Sequence, residues 1–488
     1  MSFTAFFGPV DSGSSLIGAP TTVRWKAAAA VFAGLVAAAI GACTPPPSGP
    51  AEGVHDPGVR GGAPGAGGPL PDLSEDEAEF FEDGRTKFLE IETVTGEDDN
   101  GLGPRFNSNQ CSSCHSQPDV GGSSFAPNPL IDVATLDGAK NIVPWFITQD
   151  GPIREARFKL NPDRTPDGGV HALFVVSGRK DAPGCEIAQP DFLPAGDPQT
   201  GQGGNANIIF RIPTPVFGAG LIEAIPDSAI LANMKTSASQ RAELGISGHP
   251  NAHISGSANR SANDGTISRF GWKAQNKSLL LFSGEAYNVE MGVSNPLFPQ
   301  ERDETPGCVF NATPEDTPDF SADANPDVPS DIDAFSTFMR LLAPPTPAPD
   351  TPSTARGREL FGTTGCAACH TPSLMTAAMV ASGSSTVPSA ALSGKTANLY
   401  SDLLVHNMGA GLSDGVSQGG AGPDEFRTAP LWGAGQRIFF LHDGRTTDLV
   451  EAVEAHRSRG SEANRVIERF NKLGAEEQQD IINFLRSL

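Results

Sequence analysis

Two pentapeptides repeat the same spacing of two thiols and an imidazole: Cys111-Ser112-Ser113-Cys114-His115 and Cys366-Ala367-Ala368-Cys369-His370. Thiols three residues apart on one helical turn can reach the two vinyl groups of one haem. The adjacent His then presents its imidazole to the iron as proximal ligand. The rival chemistry is a four-cysteine zinc site, which also uses C-x-x-C pairs. Zinc does not need a His directly after each pair, and both pairs here have one. A thioredoxin-like redox pair fits less well, because no βαβ pattern surrounds either motif. The spacing therefore predicts two covalently attached c-type haems, with His115 and His370 as iron ligands.

The elements around the motifs suit that chemistry. Leu73 to Glu92 reads as an amphipathic helix with Phe80, Phe81, Phe88, Leu89 and Ile91 on its apolar side, and a Gly/Asp/Asn-rich loop leads from it to Cys111. Ser353 to Phe361 reads as a capped helix running into the second motif. The chain ends in a further amphipathic helix whose Ile481, Ile482, Leu485 and Leu488 share a face, with acidic residues in its first turn. Between His115 and His370, short β-branched and aromatic runs at 172–176 and 208–212 predict strands. Residues 303–330 predict a surface loop, and Asp331 to Leu342 a short helix opening the second haem region. The expected fold is mainly α with long loops: two cytochrome c-like haem domains, 73–330 and 331–488, with a partly β insertion between the motifs.

The first 72 residues have a different character. Arg24 and Lys26 precede an uncharged Ala-rich run that ends Ile40-Gly41-Ala42-Cys43, which is similar to a bacterial lipoprotein box. Residues 1–43 thus predict a signal peptide with lipid on Cys43, and 44–72 a disordered Pro/Gly linker. That places the protein in the periplasm or cell envelope, tethered to the membrane; an uncleaved anchor helix is the alternative. Of the seven cysteines, Cys43 takes the lipid and four take haem. Cys185 and Cys308 remain, as a disulfide or as two separate buried thiols. The 488 residues carry a net charge of −23. This argues against nucleic-acid binding and suits docking of a small basic electron carrier, although acidity also serves solubility.

Several further stretches carry a family resemblance over residues 73–488. They are 101–107 (Gly-Leu-Gly-Pro-Arg-Phe-Asn), 217–226 (Phe-Gly-Ala-Gly-Leu-Ile-Glu-Ala-Ile-Pro), 269–274 (Arg-Phe-Gly-Trp-Lys-Ala) and 295–301 (Asn-Pro-Leu-Phe-Pro-Gln-Glu). The run 402–409, Arg427 to Gly433 and Leu441 to Arg445 complete the set. The chain resembles the dihaem c-type oxidoreductases of peroxidase or thiol-oxidoreductase type, distant relatives of bacterial dihaem cytochrome c peroxidases. The resemblance implies that Glu290, in Asn288-Val289-Glu290-Met291, sits over the open face of the reactive haem. There it would move a proton between the two peroxide oxygens. It implies that Trp272 lies between the haems as an electron relay. Glu223 is a second candidate acid. Without the resemblance, Glu290 reads as an exposed loop carboxylate and Trp272 as a core aromatic.

One departure from the family concerns the sixth ligand of the second haem. The peroxidases place a Met just before His-Asp-Gly, and here that position is Leu441, which cannot ligate. Met408, His442, His406 and His456 are the replacements to consider, and a His is favoured, either His442 or His456. The resemblance also admits a calcium ion between the haems, for which no ligands can be named. The expected reaction is reduction of hydrogen peroxide by an external donor such as a small cytochrome, with electrons passing through the second haem. The alternatives are an O2-dependent dihaem enzyme acting on a protein or polymer, and a non-catalytic electron-transfer cytochrome.

Overall fold

The computed structural model describes residues 49–96, 99–192, 207–252, 267–318, 329–381 and 387–488. The expected signal peptide, Cys43 and residues 44–48 lie outside them. Among the described residues, no helix is long and apolar enough to cross a membrane.

Helices joined by long loops carry the architecture, and four small antiparallel sheets brace them. The first long helix, Glu75–Phe88, starts at a capping box: Glu77 N–H donates to Ser74 Oγ (3.2 Å), and Ser74 N–H donates to Glu77 Oε2 (2.9 Å). Its buried Phe81 and Phe88 pack on Phe338 of the helix Asp331–Leu341, at ring separations of 5.4 and 4.9 Å. The helix Asp331–Leu341 therefore belongs to the core beside the first motif. This corrects the expected boundary at 330/331. Phe335, Phe338 and Met339 need an apolar partner, and the face of Glu75–Phe88 supplies it. Residues 46–488 form one unit instead of two separate haem domains.

The strands expected between the motifs are present, but they are short. Glu155–Phe158 is the centre of a three-stranded sheet, flanked by Val170–His171 and Ile208–Arg211. Arg105–Phe106 pairs with Phe174–Val175. Two further hairpin-like pairs follow the second motif, Leu374–Met375 with Thr396–Ala397 and Val405–Asn407 with Glu425–Arg427. Sequence patterning does not announce these, since two or three residues hold no alternation to detect.

The helix Pro352–Thr364 runs into the second motif and packs against the closing helix Ala475–Ser487. Gly357 makes that approach possible, because a Cβ there would lie 2.0 Å from the carbonyl oxygen of Asp480. Asp480 answers with ion pairs to Arg356 (Nε to Oδ2, 2.8 Å). Phe361, Phe470, Ile481, Ile482 and Phe484 fill the core between these elements.

Residues 49–72 correct the expectation of a disordered linker. They run as extended chain across the closing helix. Asp56 pairs with Arg486 (Nε to Oδ1, 2.7 Å), both side chains being 5% exposed, and Asp56 also accepts from the Leu449 N–H at 2.7 Å. Arg60 N–H donates to the Gly435 carbonyl (2.7 Å) and Leu70 N–H to that of Leu341 (2.7 Å). Pro and Gly composition reads as a linker, yet specific polar anchors hold this segment down. Cys185 and Cys308 form a disulfide that closes a separation of 123 residues.

Candidate functional site

Each Cys-x-x-Cys-His motif opens on a single 3-10 turn, Cys111–Ser113 in one case and Cys366–Ala368 in the other. The His N–H of each returns to the carbonyl of the first Cys, at 3.1 Å for His115 and 2.9 Å for His370. That bond turns both thiols and the imidazole toward one cavity. His115 Nδ1 lies 3.1 Å from the Gly122 carbonyl oxygen, and His370 Nδ1 lies 2.9 Å from that of Tyr400. A carbonyl at Nδ1 fixes the tautomer and leaves Nε2 as the ligating nitrogen. Loss of bulk water lowers both imidazoles to about 4, so both are neutral, as a metal ligand must be. The four cysteines are free of disulfides.

A cavity opens at each motif, lined by its two thiols and its imidazole. Paired thiols, a neutral His and a mostly apolar cavity are the donor set and surroundings that a thioether-linked haem requires, so the residues fit the group.

Beyond the histidine, the two cavities differ. The first is lined by three carboxylates, Glu155, Glu285 and Glu290, and by Arg154, Arg157 and Arg211. Glu290 lies in the last turn of the helix Leu279–Met291, where the sequence alone suggested an exposed loop. Its backbone is tied to the first motif, since Asn107 N–H donates to the Glu290 carbonyl at 2.6 Å and Gly103 N–H to that of Met291 at 3.0 Å. Gly103 permits the contact, because a Cβ there would meet the Gly292 carbonyl oxygen at 2.5 Å. Burial, then the charges of Glu155 and Glu285, raise the Glu290 carboxyl to about 8, against the opposing pull of Arg157. Arg157 is itself held by Glu155 (2.7 Å) and by the Gly168 carbonyl (2.9 Å).

Trp272 lines both cavities. Its Nε1–H donates to the Ile212 carbonyl at 2.9 Å, which fixes the indole in the shared wall. Glu223 is corrected as a candidate acid. It is 2% exposed and pairs with Arg340 (2.8 Å), while its other oxygen accepts from the Leu279 N–H (2.9 Å). Both oxygens are committed to anchoring helices, and Glu223 lines neither cavity.

The second cavity is lined by His406, Met408, His442 and His456 among mostly apolar residues. His406 is corrected as a ligand candidate. Its Nε2 sits 3.0 Å from Asp402 and its Nδ1 2.9 Å from Glu462. Burial opposes its charge, but Cys369 and the Asp402 carboxylate raise its pKa well above the usual value. An imidazolium with both nitrogens bonded cannot bind iron. His456 is arranged like the proximal histidines. Its Nδ1 lies 2.8 Å from the Ala452 carbonyl oxygen, one helical turn earlier, which leaves Nε2 facing the cavity with no hydrogen bond among the described residues. His442 stacks on Phe426 at 4.3 Å, and Met408 sits in the apolar cluster around Trp272.

Sequence reasoning missed Glu155, Glu285, Arg157, Arg427 and Arg437 as cavity-lining residues. The first three come from strand and helix positions far from both motifs. Arg427 stood inside a quoted motif, but no sequence signal marked it as unpaired. Among the described residues, no group of three or more His, Cys, Asp or Glu side chains is placed to hold a metal ion, so no calcium ligands emerge.

Among solved structures, hydrazine synthase of Kuenenia stuttgartiensis, pressurised with xenon, is similar at 19% identity with a TM-score of 0.20. The match covers 38% of this chain and 59% of that one, and at that score it carries no argument about fold. No curated protein matches. A family model described as "Di-haem oxidoreductase, putative peroxidase" matches residues 204–488, more than half of the chain. That span takes in Trp272, Glu290, the second motif and His456, and the chain belongs to the di-haem oxidoreductase family.

Proposed function

We propose that this protein reduces hydrogen peroxide with electrons from an external carrier, using two thioether-linked haems of unequal role. Cys111, Cys114 and His115 would hold the first, and Cys366, Cys369, His370 and His456 would hold the second. Haem supplies one-electron carriers at both places and, in the first cavity, the redox centre for peroxide.

The observation that carries this reading is the contrast between the cavities. The first offers a carboxyl, Glu290, with no hydrogen bond or ion pair among the described residues. The second offers a neutral imidazole with a free Nε2. Glu290 accepts the proton from the inner peroxide oxygen and delivers it to the outer one, which leaves as water. A carboxyl near 8 holds and releases a proton close to neutral pH. Arg157 keeps a positive charge on the wall where the departing oxygen gathers negative charge. Trp272 places an aromatic ring in the wall that both cavities share.

We read the chain as exported and lipid-anchored at Cys43, which lies outside the described residues. The Cys185–Cys308 disulfide supports export, since such bonds persist in oxidising compartments. Steady-state peroxide consumption with a reduced small cytochrome tests the function. Turnover that needs both substrates and falls at least a hundredfold in Glu290→Gln is expected. No consumption above the rate of free haem contradicts it.

A further inference from the structure

Two guanidinium groups in the second cavity lack a counter-charge. Arg427 is 6% exposed. Its backbone N–H donates to the Trp272 carbonyl (2.9 Å) and its Nε to the Gly271 carbonyl (3.0 Å), while its Nη1 is buried with no partner. Arg437 follows ten residues later, after the turn Ala434–Gln436. Its carbonyl accepts from Arg486 (2.9 Å), but no hydrogen bond or ion pair reaches its side chain among the described residues. Burial lowers both to about 10, Arg437 adds to the shift at Arg427, and no carboxylate offsets either.

An unpaired cation is costly when buried, as Arg427 is, or half-buried, as Arg437 is, so the two mark the place of an anion supplied from elsewhere. Both arginines line the second cavity and also a smaller space of about 540 Å³. Trp272 borders that smaller space as well. A protein carboxylate is available to other cations nearby: Arg486 has Asp56. Arg427 and Arg437 have none.

The second cavity thus bears two thiols and two uncompensated cations. A haem has matching chemistry, with two vinyl groups for the thiols and two propionates for the cations. Guanidinium groups bind carboxylates in bidentate fashion and stay charged when buried.

We propose that Arg427 and Arg437 form a paired-cation clamp for the propionates of the second haem and thereby raise its reduction potential. Ligation by two histidines lowers that potential, and two positive charges beside the propionates offset part of the drop. The clamp also commits the propionate edge to the wall that contains Trp272. The inference rests on haem occupying the second cavity.

Spectroelectrochemical titration of the holoprotein tests it, with covalent haem content measured on each sample. Arg437→Gln should retain two haems and shift the low-spin haem to a lower potential by about tenfold in its one-electron equilibrium, about 59 mV. Arg437→Lys, which keeps the charge, should restore most of the shift. Arg427→Gln should act in the same direction. An unchanged potential in Arg437→Gln with haem content intact overturns the clamp alone. Absence of haem at Cys366 and Cys369 in the wild type overturns the site reading beneath it. The arginines could instead serve a diffusible anion. In that case inorganic phosphate, added at constant ionic strength, would move the wild-type potential as far as Arg437→Gln does, and this too overturns the clamp.

Discussion

The indole of Trp272 meets the imidazole of His442 edge-on, with ring centroids 6.4 Å apart. His442 in turn stacks on Phe426 at 4.3 Å, and the ammonium of Lys273 lies 4.0 Å from the Phe426 centroid. Trp272, which lines both cavities, thus continues into a stack of rings on the side of the second cavity. Trp272→Phe keeps a ring there but removes the N–H bonded to Ile212 and the more easily oxidised indole. Electron transfer between the two haems is expected to slow by about tenfold, equal to about 1.4 kcal/mol in barrier. Stopped-flow oxidation of the fully reduced protein by peroxide measures it, and an unchanged rate removes Trp272 from the path.

Glu290 predicts a pH profile. Its ordinary value near 4.5 is raised to about 8 by burial and by Glu155 and Glu285. Proton abstraction needs the carboxylate, so kcat/KM for peroxide should rise with pH and level off above about 8. Glu290→Gln should lower it by about 10²–10⁴-fold and flatten the profile. A variant that keeps the rise assigns the titration to another group.

His456 and His442 make opposite predictions. His456 has Nδ1 on a carbonyl and Nε2 unbonded. His456→Ala should convert the second haem from low-spin to high-spin, while His442→Ala should leave it low-spin. Optical spectra of the two ferric variants decide between them. The reverse pattern would move the sixth ligand to His442.

The pair Asp56–Arg486 ties residues 49–72 to the closing helix. Asp56→Ala leaves a buried guanidinium without its carboxylate and should cost about 3–5 kcal/mol of stability. Urea denaturation reads this as a lower midpoint with an unchanged slope. A loss below about 1 kcal/mol shows that solvent screens the pair.

The sequence made the two motifs and the helices beside them legible because each is a local pattern: adjacent residues for the thioether site, a 3.6-residue period for the helices. The wall around Glu290 was not legible. Glu155 and Arg157 reach it from a strand whose partners, Val170–His171 and Ile208–Arg211, are distant in sequence. Glu223 stood second to Glu290 as a motif carboxylate. Only the positions of Arg340 and the Leu279 N–H show that it is spent on structure. His442 and His456 could not be told apart in sequence, while Asp402 and Glu462 on the two nitrogens of His406 explain why that imidazole cannot ligate. The N-terminal strap escaped notice because composition averages over Asp56, the residue that anchors it.

The most direct measurement is the electron paramagnetic resonance spectrum of the ferric holoprotein. An open first haem and a second haem held by His370 and His456 predict one high-spin axial signal and one low-spin rhombic signal in equal amounts. Two low-spin signals, in a sample with both haems attached, would contradict the unequal roles assigned to the two cavities.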